Sequence, residues 1–175
     1  MPERVPVLWF TGSVSTTDPL LDANRAYAAA FTGPGPRRPR LRLAVVACMD
    51  ARLDLFGGLG LAVGDAHVIR NAGGLPTDDV LRSLALSQRS LGTRQVVLLH
   101  HTDCGMQGLD DVAFRARLAA ETGHEPPWDV PGFTDPRATM RRSLATVRQC
   151  RWLAHRDDVR GFVLDVATAR LSEVH

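Results

Sequence analysis

Two short apolar runs constrain this chain more than any other feature: LRLAVVA at residues 41–47 and QVVLLHH at residues 95–101. A strand with one wet face alternates apolar and polar residues. A strand buried on both faces reads as a nearly continuous run, as these do. HVIRN at residues 67–71 is a third candidate strand. Between it and QVVLLHH lies TDDVLRSLALSQRSLG, a helical stretch with Thr77 placed to cap it and Asp78 and Asp79 in the favourable first turn. Val80, Leu84 and Leu91 keep helical spacing, and Gly92 marks the expected end. Strands alternating with helices predict an α/β fold with a mainly parallel central sheet flanked by helices.

The rest of the chain fits that frame. DPLLDANRAYAAAF at residues 18–31 predicts a helix with Asp18 as N-cap and Pro19 in its first turn. Two more helices are expected near residues 109–121 and 136–153, separated by the loop HEPPWDVPGF. RGFVLDVATARLSEV at the C-terminus predicts an edge strand or hairpin. Residues 1–17 read as an irregular segment and residues 18–175 as one domain, a length that supports a real hydrophobic core.

Charge excludes some functions. All 21 cationic residues are arginine, 19 acids offset them, and the net charge is +2, so no nucleic-acid partner is expected. The cluster Arg37, Arg38, Arg40 and Arg42 sits among prolines and reads as a solvated linker rather than a phosphate-binding patch. No apolar run approaches the ~20 residues of a membrane span, and VPVLWF is too short for a signal-peptide core. A cytoplasmic location and no membrane partner are the expectation. Thiols stay reduced there, which points the three cysteines towards metal binding, catalysis or the core rather than disulfides.

The chemistry gathers at two strand ends, where sites form in open parallel sheets. LRLAVVA continues as CMDAR, with Cys48, Asp50 and Arg52 at alternate positions; QVVLLHH runs into HTDC, with His101 and Cys104. Two thiolates and one imidazole are a strong zinc set, and three protein ligands leave a fourth position open, as in catalytic sites. Asp50 is placed to accept a hydrogen bond from solvent at that position, and Arg52 to hold Asp50 ionised. Blander readings suit the neighbours: His100 as a packed histidine, Asp103 as a turn former and Cys150 as a core thiol, while Arg70 and Asn71 read equally as touching the site or as holding the strand end and loop. His124, His155 and His175 are expected to be exposed, and His67 is ambiguous.

CMDAR followed by HTDC resembles the Cys-x-Asp-x-Arg and His-x-x-Cys pair of the β-class carbonic anhydrases, in particular their short prokaryotic branch. HVIRNAGG and TDDVLRSLALSQRSLGT extend the likeness over roughly residues 18–170. The resemblance implies Cys48, His101 and Cys104 as zinc ligands, Asp50 and Arg52 as a catalytic dyad, and Asp50 as a conditional fourth ligand in a closed form. It implies a cleft lined by Asn71, Ala72, Gly73 and Gly105, and a homodimer or homotetramer with that cleft at the subunit interface. The implied activity is reversible hydration of carbon dioxide to bicarbonate and a proton by zinc-bound hydroxide. Hydrolysis of carbonyl sulfide or carbon disulfide at the same site is the nearest alternative, and a non-catalytic zinc module the more distant one.

Overall fold

The computed structural model describes residues 17–175, so the irregular segment expected over residues 1–17 lies, but for Thr17, outside the described residues. The first helix, α1, spans Asp18–Ala29, with Thr17 rather than Asp18 at the cap position and Pro19 in the first turn. Leu20, Tyr27 and Phe31 are exposed, and the two rings touch at 5.8 Å between centroids. The chain divides after Pro34 into two compact units, and the second, Gly35–His175, carries the sheet.

That sheet has five strands: β1 (Leu43–Cys48), β2 (Ala66–Asn71), β3 (Gln95–His101), β4 (Val159–Asp165) and β5 (Arg170–Val174). Their order is β2-β1-β3-β4-β5. The first three pairings across the sheet are parallel; β5 closes it antiparallel to β4, as the C-terminal pattern predicts. The register sets Ala47 opposite Leu99, which brings the carboxyl ends of β1 and β3 side by side.

The continuous apolar runs are explained by burial on both faces. Ala44, Val46 and Leu98 pack with Val80 and Leu84 of α3 (Asp78–Arg89) and with Met140, Leu144 and Val147 of α5 (Pro136–Gln149). Val45, Ala47 and Leu99 face the other way, onto Leu53, Leu55 and Phe133. Full burial of each such Val or Leu side chain contributes about 1.5–3 kcal/mol. The remaining helices are α2 (Leu55–Leu59) and α4 (Asp111–Thr122).

Several local expectations shift. Helix α3 stops at Arg89, three residues before Gly92. Its Thr77 holds the N-cap backbone position, but the hydroxyl makes no capping hydrogen bond. Helix α5 ends at Gln149 because Cys150 turns to ψ 104°. The short α2 was not expected, since LFGGL carries two glycines; Asp54 caps it by accepting from the Gly57 N–H. Cys150 is half-buried against the core rather than fully enclosed. His124, His155 and His175 are exposed, and His67 is tied to Ser87 Oγ at 2.7 Å. Among the described residues no helix is long and apolar enough to cross a membrane.

Candidate metal centre

Strand β1 delivers Cys48 as its last residue, and β3 delivers His101 as its last. The chain then turns through Asp103, whose φ of +52° lies in the left-handed region, and presents Cys104 beside them. Asp and Asn tolerate that region better than most residues. Cys48, His101 and Cys104 are 4%, 1% and 6% exposed, and their ligand atoms all lie within 4.8 Å of one another. The two sulfurs are 3.8 Å apart. A tetrahedral ion with metal–sulfur bonds of about 2.3 Å sets its sulfurs about 3.8 Å apart, so the pair is spaced for zinc.

The imidazole is prepared for the same task. His101 Nδ1 lies 2.9 Å from the Thr102 carbonyl oxygen. A carbonyl only accepts, so Nδ1 carries the hydrogen and Nε2 carries the lone pair. Nε2 is buried and has no hydrogen-bond partner. An unpartnered buried acceptor beside two buried thiols costs stability unless a cation completes it. Thr102 is itself anchored: its N–H donates to the Leu164 carbonyl, and its Oγ1 accepts from the Val166 N–H. Burial pushes the Cys104 thiol up to about 11, and the neighbouring Cys48 sulfur adds to the effect. A divalent cation reverses that balance and favours the thiolate.

Asp50 sits at the edge of the group, Oδ2 lying 3.9 Å from His101 Nε2. Both of its oxygens accept from Arg52: Oδ1 from the backbone N–H at 2.9 Å and from Nε at 3.0 Å, Oδ2 from Nη2 at 2.8 Å. The Arg52 side chain and backbone N–H together hold this carboxyl well below the usual carboxylate range. Arg52 has a second anchor that the sequence did not reveal. Its Nη1 donates to Asp103 Oδ2 and its Nη2 to the Asp103 carbonyl, both at 2.7 Å. The guanidinium thus spans the CMDAR and HTDC segments, and Asp103 does more than form a turn.

Arg70 grips the backbone under the site. It donates from Nε to the Cys48 carbonyl at 2.9 Å and from Nη2 to the Asp50 carbonyl at 2.6 Å. Asn71, expected in the cleft, points its amide into the AGGL turn instead, exchanging hydrogen bonds with Leu75 N–H and carbonyl at 2.9 and 2.8 Å. Ala72, Gly73 and Gly105 do line a cavity of about 200 Å³ with Cys48, Asp50 and Cys104, and Met49 and Met106 complete its walls. Asn71 is not among the residues that line it. His100 packs away from solvent, its ring stacked on Phe133 at 6.1 Å, and burial pushes its pKa down.

Known proteins resemble this chain over most of its length. The profile of the carbonic anhydrase family matches residues 43–124. The chain is 48% identical to β-carbonic anhydrase 1 of Mycobacterium tuberculosis over 161 residues, covering 92% of this chain and 99% of that protein. Its fold superposes on the crystal structure of a carbonic anhydrase from Streptococcus mutans with a TM-score of 0.86 at 40% identity, over 93% of this chain and 99% of that one. A shorter stretch of 65 residues, 37% of this chain and 32% of the other, is 48% identical to a carbon disulfide hydrolase of Acidianus.

Proposed function

The chain belongs to the β-class carbonic anhydrases, and from that premise we propose that it hydrates carbon dioxide reversibly to bicarbonate and a proton at a zinc ion held by Cys48, His101 and Cys104. One observation carries the metal assignment: a buried His101 Nε2 with a free lone pair beside two sulfurs at tetrahedral spacing. When bound, zinc supplies Lewis acidity that generates a hydroxide nucleophile from water near neutral pH.

The chain's own residues supply position. Asp50 stays ionised because Arg52 donates to both its oxygens, so with a metal bound it would serve as a fixed acceptor for a proton of nearby solvent. While that fork is closed, we read Asp50 as an acceptor rather than as a metal ligand. Arg52 is held in turn by Asp103, and Arg70 fixes the backbone on which Cys48 and Asp50 ride. A cavity of about 200 Å³ between Ala72, Gly73, Gly105 and two methionines has room for a small linear substrate. We read residues 18–175 as one functional domain acting in the cytoplasm. The apolar exposure of α1 and the 65% exposure of Met49 at the cavity support a homodimer or homotetramer with the cleft at the interface.

Stopped-flow hydration by zinc-loaded protein tests the reading. Turnover should be well above buffer at pH 8 and should vanish with a chelator; rates equal to buffer would sink it. The likeness to a carbon disulfide hydrolase gives the second reading some weight. Turnover of carbon dioxide, carbonyl sulfide and carbon disulfide on one sample separates the two.

A further inference from the structure

We propose that the end of the sheet opposite the metal centre carries a binding site for a small molecule with two linked phosphate groups, formed by Arg38, Arg42, Arg94 and His155. Arg42 precedes β1 and Arg94 precedes β3, whereas Cys48 and His101 end those strands. Six strand residues at about 3.3 Å each place the two ends roughly 20 Å apart, so this site is separate from the catalytic one.

A cavity of about 390 Å³ lies there, lined by these four side chains together with Gln88 and Thr93. No acid lines it. Among the described residues, none of the three guanidiniums has an ion-pair or hydrogen-bond partner. Arg40, from the same run, behaves differently: it turns to Asp65 and pairs with it at 2.8 Å. The linker expected from PRRPRLR is thus sorted residue by residue, with Arg40 neutralised and Arg38 and Arg42 directed to the cavity.

The backbone beneath these side chains is fixed. The N–H groups of Arg94 and Gln95 donate to the Arg42 carbonyl at 2.8 and 3.2 Å, which ties two of the arginines together. Arg42 itself is held at φ +52° and Pro39 is buried. Gln88, only 5% exposed, accepts from the Ala154 and His155 N–H groups and donates to the His155 carbonyl. Three unneutralised cations on a fixed rim repel one another, and an anion relieves that repulsion. Arginine forks match phosphate oxygens two at a time. The cavity has room for more than one carbonate or phosphate group, and three guanidiniums match the charge of two linked phosphates better than that of bicarbonate.

Calorimetric titration of the zinc-loaded full chain with inorganic pyrophosphate tests the proposal independently of catalysis. One pyrophosphate should bind per chain, at least tenfold more tightly than inorganic phosphate and more weakly as salt rises. Arg42→Gln and Arg94→Gln should each weaken binding at least tenfold, and the double variant should abolish it. The surface control Arg117→Gln should bind as the wild type does. Carbon dioxide hydration should be unchanged in all of them, which also shows that they fold. Absence of binding at millimolar pyrophosphate overturns the proposal. So does undiminished binding to the double variant, which is the result expected if the metal captures the pyrophosphate. Phosphate binding as tight as pyrophosphate overturns the two-group assignment.

Discussion

Gly74 lies beneath the metal centre, and replacing it with alanine tests whether the closeness of β1 and β3 there is what builds the site. Its φ is +65°, and a β-carbon would lie 2.8 Å from Cys48 N, 2.9 Å from Ala47 C and 3.0 Å from Leu99 O. All three are backbone atoms of the strands that carry the ligands, so none can rotate aside. The left-handed backbone costs alanine roughly 1–2 kcal/mol, and crowding a packed position costs about 1–3 kcal/mol more. Gly74→Ala should therefore lose about 2–5 kcal/mol, which for a chain of this size lowers Tm by roughly 5–15 °C. The displaced Cys48 backbone should also weaken zinc at least tenfold. Urea denaturation and chelator competition read the two effects. Gly58→Ala is the control, since nothing lies within 4 Å of its added carbon; it should be neutral or slightly stabilising. A Gly74→Ala protein within 1 kcal/mol of wild type would refute the reasoning.

Arg52→Ala should keep zinc, because no ligand atom is lost, while turnover falls on the order of 10²-fold as Asp50 loses its orientation; metal content and stopped-flow rates on one sample decide, and full activity contradicts the dyad. Asp103→Asn keeps the left-handed turn and removes only an exposed charge partner of Arg52, so stability should change by about 0–1 kcal/mol and turnover by a few-fold. A loss as large as that of Arg52→Ala would mean that the Asp103 carboxylate, not the Asp50 fork alone, fixes Arg52. Cys104→Ser should lose zinc and activity together, read by metal analysis. Burial raises the Cys104 thiol to about 11, so a proton must leave when metal binds. Apparent zinc affinity should then rise at least tenfold per pH unit from pH 6 to 8. Asp50 does not contribute in that window, since Arg52 depresses its pKa and keeps it ionised down to strong acid. A flat affinity profile would count against thiolate ligation.

What the sequence made legible is what depends on one face or one strand. LRLAVVA and QVVLLHH announced strands covered on both sides because burial on both faces removes every polar position from the run, and the paired core clusters show that cause at work. The three donors of Cys48, His101 and Cys104 were legible because each ends a strand or follows one end closely, where parallel sheets leave side chains free. Helix ends were less legible. Thr77 has a capping residue's identity and backbone, yet its hydroxyl is not used that way, and α2 is held by Asp54 despite two glycines of poor helix propensity.

The illegible part was the set of contacts that join segments far apart in sequence. Nothing in CMDAR says that Arg52 reaches 51 residues on to Asp103, or that Arg70 closes on the Cys48 and Asp50 carbonyls. Those contacts follow from the register of β2 and β3 against β1, which sets Asn71 opposite Cys48 and Leu99 opposite Ala47. Asn71 was misplaced for the same reason: its residue type suits a cleft wall, but the AGGL turn needs both ends of its amide. The arginine linker shows the converse. Local composition read it as solvated, and only the third dimension separates Arg40, paired with Asp65, from Arg38 and Arg42, which line one cavity with Arg94. Residue type sets what chemistry is available at a strand end. Strand register decides which distant charges hold it in place.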